Sequence, residues 1–278
     1  TMNSTTADTV AADYYNSRDA DQFYELVWGG QDIHIGLYEA NDEDIAIASE
    51  RTVETLLRLA TPLPEGGVVV DLGSGYGGAS RRLSRLSSRP VHAVNISSVE
   101  NQRHRRLNQD IGCDNQITVH DASFEDVPLE DESADLIWSQ DAILHAGDRA
   151  KVLAEVSRLL KPGGCFVFTD PMAADGIAMD RLQAILDRIH LPDLASPDRY
   201  LSWGQSVGLT REIWDERTSM LIRHYSRVRE ETKRRRVELE QSISSDYLNR
   251  MEIGLGHWVE GGEQGHLSWG LMRFRKAP

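Results

Sequence analysis

The glycine-rich stretch at residues 68–78, VVVDLGSGYGG, constrains the fold more than any other part of the sequence. Its apolar, β-branched start predicts a buried strand that Asp71 ends, and a loop with four glycines follows, Gly73, Gly75, Gly77 and Gly78. Glycines in such a loop allow positive φ and let a ligand approach the main chain. The spacing matches the GxGxxG loop of dinucleotide-binding folds, although that pattern alone also occurs in purely structural strand–turn–helix units.

Predicted strands and helices alternate along the chain after this loop. Strands are predicted at 68–72, 91–96, 116–121, 134–139, 165–170, 209–215 and 267–274, and helices at 78–86, 99–111 and 148–160. The run Lys161-Pro162-Gly163-Gly164 predicts a helix stop and a turn before the fifth strand. Alternation of this kind predicts an α/β fold with a doubly wound parallel sheet, whose ligands bind outside the carboxyl ends of the strands.

Helical patterns precede the sheet and interrupt its second half. Residues 8–60 are mainly helical in pattern, with a clear amphipathic helix at 44–60, and they predict an N-terminal helical cap at 1–60. The main domain is predicted at 61–278, with a helical lid at about 172–250. Within that lid, 216–250 is interpreted as an insertion between the last two strands.

Charge and composition exclude several classes of partner. The formal net charge of −14 argues against nucleic acid, and acids flank the one basic run, Lys233–Arg236, so that run predicts a solvated helix face with ion pairs. No apolar run approaches the roughly 20 residues that span a bilayer, and the polar N-terminus lacks the zones of a secretory signal. Cys165 lies in an apolar strand and Cys113 is far from it, so a reducing cytoplasm is the expected setting.

The nine histidines show no HxxxH or other ligand cluster, and no metal site is expected. No coiled-coil seam or large apolar stripe is evident either. The oligomeric state stays open, and a monomer is compatible with the sequence.

Two details beyond the glycine loop narrow the class of ligand. Dinucleotide enzymes usually place an acid about 20 residues further on, for the ribose, whereas this chain has Asn95 in VHAVNIS. Asp71 stands two residues before Gly73, and Asp121 ends the third strand. Together these residues resemble the class I S-adenosylmethionine-dependent methyltransferases. The resemblance implies a Rossmann-like, seven-stranded, mostly parallel sheet with S-adenosyl-L-methionine as cofactor.

Further segments point to one group within that class. They are WSQDAILHAGDR (138–149), FTDPMAADG (168–176), LDRIHL (186–191), RHYSRVREET (223–232) and HWVEGGEQGHLSWGLMRFRK (257–276). From about Tyr14 to Lys276 the chain resembles the sarcosine/dimethylglycine N-methyltransferases of glycine betaine biosynthesis, and more loosely the phosphoethanolamine N-methyltransferases. The resemblance implies successive methylation of sarcosine and N,N-dimethylglycine to glycine betaine, a compatible osmolyte that fits the acidic composition.

The resemblance also implies a set of cofactor-binding residues at the strand ends. Asn95 would bond the ribose hydroxyls, Asp121 the adenine amino group, and Gln140 would lie under the sulfonium. The full set is His34, Asp71, Gly73, Ser74, Gly75, Asn95, Ile96, Asp121, Ala122, Ser123 and Gln140. Taken alone, Asp121 could instead cap a turn.

A catalytic pair is expected because a substrate amine with a pKa of roughly 10 must lose its proton before it attacks. His145 lies four residues after Asp141 and is the candidate acceptor, although a capping or core histidine is the structural alternative. In phosphoethanolamine methyltransferases the matching histidine pairs with an N-terminal tyrosine. Tyr15 is the best match here, and Tyr14 is second.

The product is a quaternary ammonium, whose charge aromatic faces stabilise without competing as nucleophiles. Six aromatics are candidates, Tyr14, Tyr15, Trp28, Trp203, Tyr225 and Trp269. Besides the tyrosine pair, we expect Trp28, Tyr225, Asp141 and Met172 to bind substrate. For the substrate carboxylate, Arg223, His224 and Arg227 remain open alternatives.

Other functions remain possible on the sequence alone. They include methylation of glycine, phosphoethanolamine or a hydrophobic natural product, and a regulatory protein that binds the cofactor without catalysis. The segment after the fifth strand offers only Arg199 for a phosphate, and residues 223–240 are heavily charged, which argues against the second and third substrates. Gln140, Asp141 and His145 together argue against a non-catalytic protein.

Overall fold

The structure, a computed structural model, describes residues 18–28 and 34–278. Residues 18–28 are helical and form α1. The other helices are α2 (Ile45–Ala60), α3 (Gly78–Ser87), α4 (Ser98–Ile111), α5 (Arg149–Leu159), α6 (Gln183–Ile189), α7 (Pro197–Ser206), α8 (Thr218–Arg234), α9 (Arg236–Leu239) and α10 (Ser245–Glu263). The strands are β1 (Val69–Leu72), β2 (Val91–Asn95), β3 (Ile117–Asp121), β4 (Ala134–Gln140), β5 (Leu160–Thr169), β6 (Met172–Ala173), β7 (Leu209–Glu216), β8 (Leu267–Ser268) and β9 (Gly270–Lys276).

Seven of these strands form one sheet in the order β3-β2-β1-β4-β5-β9-β7. Strands β1 to β5 are parallel, and β9 runs antiparallel between β5 and β7. The predicted doubly wound, mostly parallel sheet is therefore confirmed. The strand order reverses at β1, which has β2 on one side and β4 on the other, and this switch point is where such sheets form a ligand crevice.

Apolar residues cover both faces of the sheet, as a doubly wound fold requires. All four residues of β1 are buried. One face packs Trp138 and Trp269 against α2 and α3, and the other packs Phe166, Phe168 and Phe274 against α5 and α7. Cys165 is buried in this core, as expected.

The segment between α1 and α2 differs from the helical prediction for residues 8–60. From residue 34 to Asp44 the chain is irregular, because tertiary contacts satisfy its backbone instead of a helix ladder. The N–H of Ile35 donates to Asp141, the N–H of Gly36 donates to Nδ1 of His224, and the N–H of Leu37 donates to the carbonyl of Ala48. These hydrogen bonds hold residues 34–44 over the carboxyl end of β4.

Two strand boundaries also differ from the predictions. β5 already begins at Leu160 and includes the run Lys161–Gly164, because Leu160 pairs with Ala134 across a register shift. The last strand starts at Gly270, since Leu267 and Ser268 pair with β6 in a separate two-stranded sheet.

The helices between β7 and β9 pack against α1 and cover the crevice. Phe23 and Trp28 of α1 share an apolar cluster with Val228 of α8 and Leu255 of α10. Asp19 fixes α1 to the start of α10 by accepting hydrogen bonds from the N–H and the hydroxyl of Ser244, at 3.2 and 2.6 Å. The division into a cap and a lid stays a prediction, and its boundary near residue 250 falls inside α10.

The basic run at the end of α8 is paired with acids, as predicted. Arg234 bonds Glu231 three residues earlier, and Arg235 bonds Glu238. Arg236 bonds Glu240 at 2.8 Å. The run is thus a solvated, ion-paired surface.

No helix within residues 18–28 or 34–278 is long and apolar enough to cross a bilayer.

We expect Gly77→Ala to lower the free energy of unfolding more than Gly112→Ala, although both glycines have a left-handed φ, of 86° and 79°. A Cβ at residue 77 would lie 2.0 Å from Nε2 of the buried His104 ring, whereas one at residue 112 would meet nothing within 4 Å. Left-handed backbone costs alanine about 1–2 kcal/mol, and displacing the ring adds about 1–3 kcal/mol at residue 77 only. Urea denaturation measures both losses, and equal losses would contradict the packing argument.

Candidate active site

A cavity of about 1460 Å³ lies where the carboxyl ends of β1 to β4 face α1, α6, α8 and α10. Its floor is the crevice at the switch point of the sheet, and its walls are the covering helices. Most of the residues that the sequence predicted for cofactor and substrate line it. They are Trp28, His34, Gly73, Ser74, Gly75, Asn95, Ile96, Ala122, Ser123, Gln140, Asp141, His145 and Tyr225.

The glycine loop forms the part of the floor after β1. Gly73 has a φ of 74°, and a Cβ there would lie 2.4 Å from Cβ of Ala142, so only glycine fits between β1 and β4. The N–H groups of Gly73 and Ser74 donate to the carbonyl of Val94, at 2.8 and 3.2 Å. These bonds fix the loop against β2.

Asp71 lies beneath this loop instead of lining the cavity. Its carboxylate is almost fully buried and accepts a hydrogen bond of 2.7 Å from the hydroxyl of Ser80. The bond ties the end of β1 to the first turn of α3. Asp71 therefore orders the loop from below.

The ends of β2 and β3 are joined through Asn101 of α4. Its Nδ2 donates to the backbone carbonyl of Asn95 at 2.8 Å and to the carboxylate of Asp121 at 2.7 Å, and its Oδ1 accepts from the side chain of Asn95. Asp121 also bonds Arg105 at 2.9 Å, and these bonds to Asn101 and Arg105 lower the pKa of its carboxyl. The Asp121 side chain is exposed outside the cavity lining, and Ala122 and Ser123 line the cavity beside it.

Sequence reasoning missed Glu100, which lines the cavity next to Asn95. Burial raises the pKa of its carboxyl, while a hydrogen bond with Asn95 opposes that shift. The sequence does contain a signal for a polar group at this position. Glu100 follows the N-cap residue Ser97 by three residues, which is the position of the acid in a capping box. Asn95 and Glu100 together offer amide and carboxylate groups to a ribose.

Apolar side chains stand next to these polar groups. Ile96 is 76% exposed and Val99 is 65% exposed, although both line the cavity. Phe124 lies on the same lining. Exposed aliphatic side chains inside a cavity are suited to cover the faces of a flat aromatic base.

Two polar atoms at the floor lack partners among the described residues. They are the hydroxyl of Ser74 and Nε2 of Gln140, whose Oε1 accepts a hydrogen bond of 3.1 Å from Trp138. Both residues are nearly buried and line the cavity. Because buried polar groups are normally bonded, the hydroxyl and the amide are available to a ligand, and the loop cradle at Gly73 fits one that approaches the main chain.

Asp141 is a half-buried carboxylate held by three donors from separate segments. It accepts hydrogen bonds from the N–H of Ile35 at 2.8 Å, Nε1 of Trp269 at 2.9 Å and the hydroxyl of Thr169 at 2.9 Å. Burial raises the pKa of its carboxyl, whereas the charge of His34 and the three bonds favour the ionised form. Its left-handed φ of 50° directs the chain into the turn that carries His145.

The turn at Ile143–His145 is held on both sides of Leu144. The N–H of Leu144 donates to Asp170 at 3.0 Å, and its carbonyl accepts from Arg149 at 2.8 Å. Arg149 is in turn paired with Asp193 at 2.7 Å. The His145 ring is accessible from the cavity, and desolvation, followed by the charge of Arg149, lowers the pKa of the imidazole. His145 is therefore suited to accept a proton at neutral pH.

Asp170 is the second buried acid beside this turn. Tyr200 donates to its carboxylate at 2.6 Å. Desolvation raises the pKa of the Asp170 carboxyl to about 7, and this bond opposes the shift.

Aromatic side chains form the wall that faces the sheet. Trp28 and Tyr225 line the cavity as predicted, and Tyr24, Tyr247 and Trp258 join them without having been predicted. The rings of Tyr225 and Trp258 stack with centroids 5.2 Å apart, and those of Tyr24 and Trp28 lie 5.5 Å apart. The missed aromatics lie on α1 and α10, whose approach to the crevice depends on tertiary packing.

Two of the aromatic candidates lie elsewhere. Trp203 packs beneath the guanidinium of Arg199, 4.8 Å from its ring centroid, and does not line the cavity. Trp269 is fully buried and supports Asp141 instead of facing a ligand. Tyr14 and Tyr15 lie outside the described residues, so the catalytic role of Tyr15 stays a prediction.

Met172 does not reach the cavity. It is buried at the start of β6 and packs in the core, because its pairing with Ser268 turns it away from the crevice. Pro171 lines the cavity instead.

The three candidates for a carboxylate anchor also lie away from the lining. His224 is fully buried, and desolvation lowers the pKa of its imidazole to about 3. Arg227 pairs with Glu231 and bonds the carbonyl of Glu43, and Arg223 does not line the cavity. Among the described lining residues, the lysines and arginines are Arg188 and Arg250 alone.

Within residues 18–28 and 34–278, no group of three or more His, Cys, Asp or Glu side chains could hold a metal ion.

Known proteins similar to this chain include methyltransferases of small amines. The Methyltransferase domain family matches residues 70–168. The chain is 75% identical over 276 residues to a dimethylglycine N-methyltransferase of Parasynechococcus marenigrum (strain WH8102), which covers 99% of both proteins. It is 48% identical over 266 residues to a sarcosine/dimethylglycine N-methyltransferase of Halorhodospira halochloris, over 96% of this chain and 95% of the relative.

A solved structure agrees with these relatives. The crystal structure described as a sarcosine dimethylglycine methyltransferase from Galdieria sulphuraria has a TM-score of 0.89 and 44% sequence identity to this chain. The match covers 95% of this chain and 99% of that one.

We expect Arg149→Gln to raise the pKa of His145, because it removes a positive charge that disfavours the imidazolium. Arg149→Lys keeps the charge and should leave this pKa near the wild-type value, even if loss of the bond to Leu144 lowers stability. The measurement is an NMR titration of the histidine ring resonances, assigned with His145→Ala.

Arg199→Gln is the matched control, since Arg199 also pairs with Asp193, at 2.8 Å, but is more exposed. An unchanged His145 pKa in Arg149→Gln would contradict the electrostatic role of Arg149.

Proposed function

The chain belongs to the family of sarcosine/dimethylglycine N-methyltransferases, and from that premise we propose that it methylates sarcosine and N,N-dimethylglycine to give glycine betaine. It is an S-adenosyl-L-methionine-dependent methyltransferase of class I, with the Rossmann-like fold of that class. The observation that carries the choice of substrate, beyond the relatives, is that His145, after the end of β4, and a wall of aromatic side chains line one cavity.

The residues at the floor fit the cofactor. When bound, S-adenosyl-L-methionine supplies a methyl group made electrophilic by its sulfonium. Asn95 and Glu100 offer acceptors to the ribose, and Ile96 and Val99 offer an apolar cover for the adenine. Ser74 and Gln140 present polar atoms that have no other partner in the part of the chain that the structure describes.

Proton removal is the step assigned to His145. The acceptor amine has a pKa of roughly 10, so at neutral pH it is mostly an ammonium without a lone pair. The imidazole of His145 has a lowered pKa and is thus neutral, and it can take that proton or relay it towards solvent. The turn held by Asp170 and Arg149 fixes the ring beside Asp141. Tyr15 remains the proposed partner of His145.

The aromatic wall suits the charge of the product. Methylation of dimethylglycine converts a neutral nitrogen into a quaternary ammonium, which cannot donate a hydrogen bond. Trp28, Tyr225 and Trp258 present ring faces or edges in the cavity, and such faces attract a cation without reacting with the methyl group. We propose that the N-terminal cap and the helical lid exclude water from this site.

The composition supports a solution enzyme acting in the cytoplasm. Cys113 and Cys165 are free. The net charge of −14 and the paired basic run of α8 argue against nucleic acid as a partner.

We expect dimethylglycine and sarcosine to be the best acceptors among small amines. The purified protein would be incubated with S-adenosyl-L-methionine and, separately, dimethylglycine, sarcosine, glycine and phosphoethanolamine, and products would be identified by mass spectrometry. Betaine should form from dimethylglycine. Methylation of phosphoethanolamine instead would replace the proposed substrate, and no methylation of any amine would favour a regulatory protein.

We expect His145→Ala to lower turnover of dimethylglycine by at least about tenfold at pH 7, within the usual range for acid–base groups. The deficit should shrink as the pH rises towards roughly 10, because the amine then loses its proton to water without help. The dissociation constant of S-adenosyl-L-methionine, measured by calorimetry, should stay at the wild-type value. A deficit that does not depend on pH would assign His145 a structural role.

A further inference from the structure

Arg188 of α6 is a cation in the cavity without a carboxylate partner among the described residues. It is half-buried, its Nη1 donates to the backbone carbonyl of Arg250 at 2.6 Å, and its Nη2 lies 2.8 Å from the sulfur of Met251. Desolvation lowers the pKa of its guanidinium, and Arg250 adds to that shift, whereas the hydroxyls of Tyr24 and Tyr247 oppose it. None of these groups is a carboxylate.

Several other half-buried or buried arginines among the described residues pair with acids. Arg51 pairs with Glu43, Arg149 with Asp193, and Arg158 with Glu155. A charge withdrawn from water without a counter-ion is costly, and proteins rarely keep one unless a ligand supplies the opposite charge. The position of Arg188 in a ligand cavity thus calls for an anion.

We propose that Arg188 binds the carboxylate of the methyl acceptor and thereby selects amino acids over amines that lack a carboxylate. The inference rests on the proposed function, since sarcosine and dimethylglycine each carry one carboxylate and one amine. A guanidinium is the side chain best matched to a carboxylate, which it can bond with two parallel N–H groups.

Gly254 of α10 provides the space in which Arg188 sits. A Cβ at residue 254 would lie 2.1 Å from Nε of Arg188 and 2.4 Å from its Cζ. Glycine is unfavourable inside a helix, and here its lack of a side chain lets the guanidinium lie directly against α10. Gly254 is itself part of the cavity lining.

The cofactor also carries a carboxylate, but the placement of Arg188 favours the acceptor. The groups that fit the cofactor lie on the sheet edge, in the loops after β1 to β4. Arg188 lies on α6 against α10, and its neighbours Tyr24 and Tyr247 belong to the covering helices. An acceptor bound with its amine towards His145 would direct its carboxylate to this covering side.

The test uses Arg188→Gln in the full-length enzyme. The KM for dimethylglycine should rise at least about tenfold, the scale of a charge-assisted hydrogen bond. Turnover at saturation should change much less, because the lost contact is remote from the methyl group and is made equally in the ground and transition states. The dissociation constant of S-adenosyl-L-methionine should not change.

A carboxylate-free acceptor separates charge recognition from general damage. N,N-dimethylglycinamide, tested as a substrate or as a competitive inhibitor, should bind the wild type at least about tenfold more weakly than dimethylglycine. In Arg188→Gln the difference between the two compounds should largely disappear.

Gly254→Ala should reproduce the rise in KM by displacing Arg188, although alanine is the better helix former. In the double variant with Arg188→Gln, Gly254→Ala should raise the KM little further, since both substitutions act through the Arg188 guanidinium. The matched controls are Gly256→Ala and Arg229→Gln. Gly256 lies on α10 like Gly254 and packs against Arg229 of α8, but neither residue lines the cavity. Both controls should keep the wild-type KM.

The outcomes distinguish this inference from the proposed function. If the wild type makes betaine but Arg188→Gln keeps its KM, the carboxylate contact is wrong and the function stands. If instead Arg188→Gln weakens binding of S-adenosyl-L-methionine alone, the anion belongs to the cofactor and the inference is overturned. If the wild type methylates neither sarcosine nor dimethylglycine, the proposed function fails first.

Discussion

The half-buried carboxylate of Asp141 is the group on which the site depends. Its three donors come from the segment before α2, from the end of β5 and from Trp269 between β8 and β9, so one side chain joins parts of the chain that are far apart in sequence. Removing a partner from such a group would leave a partly desolvated charge with an unmade hydrogen bond, which costs more than the bond itself contributes. The positions of the turn that carries His145, of the chain over β4 and of the segment between β8 and β9 are therefore set together.

The sequence predicted those features that depend on local pattern. The strands and the glycine loop follow from hydrophobic period and spacing, whereas the candidate site residues at the strand ends came from the family resemblance. The sheet places those at the ends of β1, β2 and β4 along one cavity. Where tertiary contacts replace local ones, the prediction was wrong or incomplete. The segment after residue 34 is extended because Asp141 and His224 satisfy its N–H groups, and Met172 is turned inward by a two-residue pairing.

Residues on the covering helices were the hardest to find. Tyr24, Arg188 and Trp258 stand in amphipathic or mixed patterns that look like ordinary helix surface, and only the packing of α1, α6 and α10 directs them to one cavity. Arg223, His224 and Arg227 illustrate the converse. Their positive or titratable character suggested an anchor, but the helix face that carries them is committed to Glu43, Glu231 and the backbone of Gly36.

The insertion of α8 to α10 between the edge strand β7 and its neighbour β9 has a consequence for how this family can diversify. β7 and β9 pair with each other from Leu209 to Glu216, with one register shift, so the pairing of the sheet does not depend on the sequence of the segment that links them. That segment supplies Tyr225, Tyr247, Gly254 and Trp258 to the cavity wall. We expect substitutions there to alter the range of acceptors while the sheet is kept, provided that His224 and Trp269, which hold Gly36 and Asp141, are retained.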